Sequence, residues 1–259
     1  MRNSRRLFAA FTVVLLMLLW GCAVPHPSII HRPPSPEIVG IIDHYVEAVE
    51  SHEDALRGAT MKVDITAAIP KLKEHGTLRA LRKISQIGQI TYQLLGFQGS
   101  DTVKNQVIAR YLKAERKEQG NQKVDVLPSN YKFKYKGEKE RPDGGQAYVF
   151  DVSPWKKREG LFKGQIWLDK ETYLPVFEKG KLVKSPGLFL KKVEFERGYR
   201  IQNGISVPEY LTSTIHVRLF GKVELNVHYS DFQPQPGSPS GAAFTAQSPS
   251  PLSAHAIGK

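Results

Sequence analysis

The sequence predicts a mainly β domain with some α structure (α+β): a curved antiparallel sheet forming a half-open barrel, with an N-terminal amphipathic helix and a loop or helix lid over its concave face. Three observations predict it. Hydrophobic residues alternate with polar ones at a spacing of two over most of the 170 or so residues after Gly58, which is the signature of strands with one greasy and one wet face. Turn signals separate nearly all of these runs: Gly76, Gly99-Ser100, Gly120-Asn121, Asp143-Gly144-Gly145, Asn203-Gly204 and Gly221. Short loops between consecutive strands give an antiparallel meander. The third observation is a single helical stretch ahead of the strands, where Ile38, Ile41, Ile42, Tyr45, Val46 and Val49 recur at a spacing of three and four, one apolar stripe on a helix.

The chain starts with Arg2, Arg5 and Arg6, runs through an apolar stretch from residue 7 to residue 20 and reaches Gly21-Cys22. A charged start, an apolar middle and a small residue before a cleavage point form an export signal. The stretch falls short of the about 20 residues needed to span a bilayer. Residues 1–21 are therefore expected to be removed, and residues 22–35, rich in proline, to form an extended tether. Pro36 sits at a first helical position behind Ser35, a candidate N-cap, and Gly58 is a plausible stop. Strands are expected over residues 61–69, 72–84, 89–97, 103–116, 130–136, 146–152, 164–169, 174–179, 191–199, 206–219 and 223–232. The domain is bounded at 36–232, and residues 233–259, dominated by Pro, Ser, Ala and Gly, read as a disordered tail.

Composition narrows the chemistry. The full chain carries a formal charge of +12, and an exported basic protein meets no cytoplasmic nucleic acid, so its surplus lysines face water or anionic lipid headgroups. Cys22 is the single cysteine, which excludes a disulfide within the chain and leaves stability to a buried core. No catalytic, metal-binding or cofactor-binding constellation stands out. His44 and His52 lie eight residues apart on the predicted helix, too far for paired metal ligands. Asp151, Asp169 and Glu171 fall at strand ends or turns, where carboxylates satisfy backbone donors. No serine sits in a Gly-flanked elbow, and the expectation is a protein that is not an enzyme.

Two resemblances sharpen the expectation. Leu19-Trp20-Gly21-Cys22 resembles the lipobox of bacterial lipoproteins, which implies that Cys22 is acylated, with palmitate or a similar chain, and becomes the lipid-anchored first residue. Residues 164–175, GQIWLDKETYLP, and residues 199–210, YRIQNGISVPEY, resemble the strand-turn-strand and Asn-Gly hairpin of the outer-membrane lipoprotein-sorting superfamily, the LolA, LolB and RseB-like proteins. That resemblance covers about residues 145–232. It implies an open half-barrel with a helical lid over an apolar cavity for the acyl chains of a lipid or lipoprotein. The soluble carrier of the family has no lipidated cysteine, so this chain is closer to the membrane-anchored receptor. Arg79 and Arg82 are the candidates for the family's lid-contacting arginine. Ala23 after the lipidated cysteine implies the periplasmic face of the outer membrane in a diderm host.

The expected function is that of an envelope lipoprotein that binds an acylated ligand for carriage or insertion at the outer membrane. The alternatives are an RseB-like sensor acting on an envelope protein partner, and a structural lipoprotein without ligand. Cavity residues are expected among the inward aromatics Tyr131, Phe133, Tyr148, Phe150, Trp167 and Phe195, since one helix is too little to cover the concave face of so many strands. A membrane-dipping or lid role is expected for two loops that mix cations with apolar groups: Trp155, Leu161 and Phe162 beside Lys156, Lys157 and Arg158, and Leu188, Phe189 and Leu190 beside Lys191 and Lys192.

Overall fold

The computed structural model describes residues 36–118, 123–185, 190–219 and 221–235. The expected signal peptide, Cys22 and the tether fall outside them, as do Leu188, Phe189 and the tail from residue 236.

Helix α1, Pro36–Ala55, starts where proline fixes the first helical φ and Glu37 complements the positive end of the helix dipole. Its apolar stripe buries Ile41 and Tyr45, with Ile38, Ile42 and Val49 packed beside them. Gly58, at φ +75°, turns the chain out of the helix.

Strands β1 (Thr60–Ile69) and β2 (Glu74–Ile84) follow, joined by a 3-10 turn at Pro70–Leu72 and by Lys73 at φ 55°. The turn takes up Leu72, so β2 starts later than the alternation implies. Along β1, Met61, Val63, Ile65, Ala67 and Ile69 are buried while the residues between them are not. Strand β3 (Ile90–Gly99) completes the first group.

The strand expected over residues 103–116 is helical. Asp101–Val103 (α2), a π turn at Lys104–Ile108 and Ala109–Glu118 (α3) form one helical stretch. The Ser100 hydroxyl caps it by accepting from the Thr102 amide at 3.1 Å. Val103, Val107 and Ile108 are buried with Tyr111 and Leu112 packed beside them, a stripe at helical spacing. The β-branched residues favour a strand reading of the first half, but the good helix formers of ARYLKAERKE decide the second half. The concave face thus has two helical covers, the second formed by residues expected to be a strand.

Seven further strands run as a meander: β4 (Tyr131–Glu140), β5 (Gln146–Pro154), β6 (Phe162–Asp169), β7 (Pro175–Leu182), β8 (Leu190–Gln202), β9 (Ile205–Val217) and β10 (Gly221–Gln233). The β8–β9 turn is Asn203-Gly204, both at positive φ, as a tight hairpin requires. All ten strands form one antiparallel sheet in the order β3-β2-β1-β10-β9-β8-β7-β6-β5-β4. β1 pairs with β10, third and fourth from the β3 edge, from Thr60 opposite Gln233 to Ala68 opposite Glu224. The sheet is not closed, with edges at β3 and β4, and the α2–α3 stretch leads the chain from one edge to the other.

Two apolar clusters sit on the concave face. One gathers β1, β2, β9 and β10 against α2 and α3, and is built mainly of Ile, Val, Leu and Met. The other gathers β4, β5 and β6 against α1, and is rich in Tyr and Phe. Phe195 of β8 is half-buried and packs against both.

Candidate functional site

Five of the six expected cavity residues share the concave face beneath α1. Tyr131 and Phe150 are buried, while Phe133, Tyr148 and Phe195 are half-buried. Their rings form an aromatic layer made of two contacting groups, one around Phe133, Phe150 and Tyr148 and one of Tyr131, Phe162 and Phe195. Tyr45 of α1 lies 6.1 Å from Phe133, Phe133 meets Phe150 edge-on at 6.0 Å, and Phe150 meets Tyr135 at 5.4 Å. Tyr148 stacks on Tyr173 at 6.1 Å, and Phe162 meets Phe195 edge-on at 5.0 Å. Such offset contacts suit the ring quadrupoles. The layer has room for Phe162 because Gly180 lies beneath it: a Cβ there would fall 2.6 Å from the Phe162 ring.

Trp167 is on the other side of the sheet. Its neighbours Ile166 and Leu168 are buried in the aromatic cluster, and a strand sends successive side chains to opposite faces. On the convex face the indole packs against Phe177 at 4.9 Å, beneath the Lys139 ammonium at 5.0 Å. The one-residue parity of WLD around a preceding apolar run decides this.

The Trp155 loop splits in two. Leu161 and Phe162 are core residues, 0% and 4% exposed, so their place beside Lys156 to Arg158 does not make them lid residues. Trp155 is 58% exposed, under the Lys132 ammonium at 4.7 Å, with its indole N–H donating to the Pro128 carbonyl at 3.0 Å. Leu190, the described member of the second loop, begins β8 half-buried.

From between the two apolar clusters into the aliphatic one runs a polar seam that the sequence reading missed. At its centre, Glu178 of β7 stands opposite Arg197 of β8, Nη1 to Oε2 at 3.6 Å, with the Glu178 side chain 8% and the Arg197 side chain 44% exposed. The Tyr199 hydroxyl hydrogen-bonds both. Burial pushes the Glu178 carboxyl above its usual range, and Arg197 and Tyr199 only partly offset it. Farther along, the Tyr111 and Tyr229 hydroxyls are 3.1 Å apart, and burial raises both, Tyr229 to about 12. The seam ends on the pair of buried Arg82 on β2 and half-buried Glu115 on α3, Nε to Oε1 at 3.3 Å, with Glu115 also accepting from the Tyr92 hydroxyl. Of the two candidate lid-contacting arginines, Arg82 therefore touches a helical cover, whereas Arg79 is exposed. The signal for Glu178 and Arg197 was present: each takes the inward parity of its strand, two residues from Val176 and Phe195 respectively.

Neither helix histidine stands in a ligand set. The His52 ring N–H donates to the Ser206 carbonyl at 2.7 Å, tying the end of α1 to β9, and His44 packs on Tyr173 at 4.9 Å. Asp169 accepts from the Glu171 and Thr172 amides and pairs with Arg141 at 3.1 Å, a turn-capping role. Among the described residues no group of three His, Cys, Asp or Glu is placed to hold a metal ion. A depression of about 250 Å³ lies on the convex side of β1, β2 and β10, lined by Thr66, His75, Thr77, Glu224 and Asn226 among others.

No family model matches the chain, and no curated protein matches it. Solved structures do resemble it. A DUF1329 family protein from Desulfovibrio piger is 12% identical over 78% of this chain and 94% of its own, with a TM-score of 0.42. The complex of MucA and MucB from Pseudomonas aeruginosa includes a chain that is 13% identical over 75% of this one and 99% of its own, at 0.27. A LolA superfamily protein from Nitrosomonas europaea is 11% identical over 75% of this chain and 94% of its own, at 0.33. The structural neighbours of this chain thus include LolA-superfamily and MucB proteins.

Proposed function

We propose that this chain is a lipid-anchored envelope protein that binds the acyl chain of a lipid or lipoprotein along the aromatic layer beneath α1. The observation that carries this reading is the incomplete cover of that layer. Phe133, Tyr135, Tyr148, Tyr173 and Phe195 all stay half-exposed on the concave side, and α1 buries only Ile41 and Tyr45. Burying apolar area is the main driving force of folding and binding, and each methylene laid there contributes about 0.8 kcal/mol. The export signal and the lipobox resemblance at Cys22 support the anchor, and the resemblance at residues 164–175 and 199–210 supports the ligand class.

The test uses the full chain carrying Cys22→Ser, purified without detergent. A fluorescent fatty acid should bind it saturably, and Phe133→Asp in the middle of the layer should weaken that binding at least tenfold. Absence of saturable uptake by the Cys22→Ser chain sinks the reading. For the anchor, the native chain should incorporate labelled palmitate in a bacterial host, and the Cys22→Ser chain should not. Equal labelling of both would overturn it.

A further inference from the structure

Arg197 has a position that a purely structural ion pair does not need. It lies on the concave face near the middle of the sheet, opposite Glu178 on one side and Leu211 on the other. Leu211 is 7% exposed, and Ile166, one strand beyond Glu178, is 0% exposed. The Arg197 side chain in the same row is 44% exposed. Its guanidinium lies 4.9 Å from the centre of the Phe195 ring, and Phe195 packs against both apolar clusters. The charge therefore opens onto the space between the two helical covers, at the border of the aromatic layer.

We propose that Arg197 receives the anionic head, a carboxylate or a phosphate, of a single amphiphile whose apolar tail lies on the aromatic layer. This rests on the acyl-binding reading above and adds the head group to it. A guanidinium has five N–H donors, and Arg197 has one carboxylate partner, Glu178, among the described ion pairs, and one hydroxyl partner, Tyr199. Donors remain for a second oxyanion, which a guanidinium binds through two parallel hydrogen bonds. Phe195 backs one face of the plane and fixes its direction. From other elements the recess is faced by the paired hydroxyls of Tyr111 on α3 and Tyr229 on β10, one of which keeps an O–H to donate to an oxyanion, and by Tyr45 of α1, whose hydroxyl is held by the Val126 carbonyl at 2.8 Å. Glu178 is the carboxylate an incoming anion would meet there, and burial raises its proton affinity.

The experiment is calorimetric titration of the full chain carrying Cys22→Ser with dodecanoate, dodecyl phosphate, dodecanol, acetate and inorganic phosphate, each below its aggregation concentration. Dodecanoate and dodecyl phosphate should bind at least tenfold tighter than dodecanol. Acetate and inorganic phosphate should bind far more weakly than their alkylated forms. Arg197→Met should erase the preference for the charged heads and leave dodecanol within about twofold, the signature of losing a charge-assisted contact alone. Because Arg197→Met strands a buried carboxylate, Arg197→Met with Glu178→Gln serves as the folding-safe variant, and Glu178→Gln alone should tighten dodecanoate. A charged-head preference that survives in both Arg197 variants overturns the assignment. So does inorganic phosphate binding as tightly as dodecyl phosphate, which would make the site one for free anions. If the unsubstituted chain binds dodecanol and dodecanoate equally, only the head-group assignment fails. If it binds neither, the acyl-binding reading fails first.

Discussion

The two halves of the concave face are covered to different degrees, and their composition explains why. Beneath α2 and α3 the side chains are aliphatic and the fit is closed: Met61, Val63, Ile65 and Ile69 are all at most 1% exposed. Branched aliphatic groups interlock to high density, so a helix can seat directly on them. Beneath α1 the surface is a layer of rings, several half-exposed. Large planar side chains meet at offset angles and leave surface that a narrow helical stripe does not cover. The first half reads as core, and the second as a platform.

That contrast can be broken in graded ways. The largest effects are expected inside the aliphatic half, where the seam ends. Arg82→Met leaves the half-buried Glu115 without its cation and empties a buried arginine site, and should cost about 3 kcal/mol in urea unfolding. Ile65→Ala, in the middle of the aliphatic cluster, should cost about 2–5 kcal/mol and leave fatty-acid binding unchanged once the chain is folded. Phe133→Ala should do the reverse, costing only about 1–2 kcal/mol because the ring is partly wet already, but weakening acyl binding. Equal stability losses at Ile65 and Phe133 would show that the aromatic half is core as well.

A smaller effect is expected from acid. Burial holds the His52 imidazole below its usual value, and the bond to the Ser206 carbonyl offsets this only in part. Below the ordinary value of about 6.5 the unfolded chain therefore binds more protons at this residue than the folded one. This contribution to stability is complete above that pH and is lost as pH falls from there toward the depressed folded value. Unfolding free energies measured between pH 7.5 and 5.5 should decline, and His52→Gln should flatten the decline. The smallest effect belongs to Trp155, where substitution by alanine should change stability by no more than about 0.5 kcal/mol. If the indole dips into lipid, the same change weakens sedimentation with anionic vesicles.

Much of the fold was legible because strand alternation is a strong local signal. The β4 face of Tyr131, Phe133 and Tyr135 and the β10 face of Val223, Leu225, Val227 and Tyr229 could be read directly. The α2–α3 stretch was not, since Val103, Val107 and Ile108 are β-branched and the run is short; which period such a run follows is settled by what it packs against. Trp167 was assigned by residue type and misplaced by parity. Leu161 and Phe162 were read by their charged neighbours, although a β strand begins at Phe162 and buries it. The Glu178–Arg197 pair stayed hidden because it joins two strands, and opposite-charge partners across a sheet come from register, which a single sequence does not print.

The pairing of β1 with β10 has a consequence for how the chain is made. The first strand of the sheet and the last lie side by side in its interior, third and fourth from the β3 edge, so the neighbour of β1 on that side leaves the ribosome after every other strand. Until then β1, β2 and β3 can form a three-stranded unit, but the inward apolar row of β1 lacks its partner Val227 and Leu225. Contacts this distant in sequence are slow to close, and an unpaired interior strand invites pairing with another chain. Completion of the sheet therefore waits for its final strand, and a stop codon before Gly221 leaves two sheets, β1 to β3 and β4 to β9, with no strand to join them.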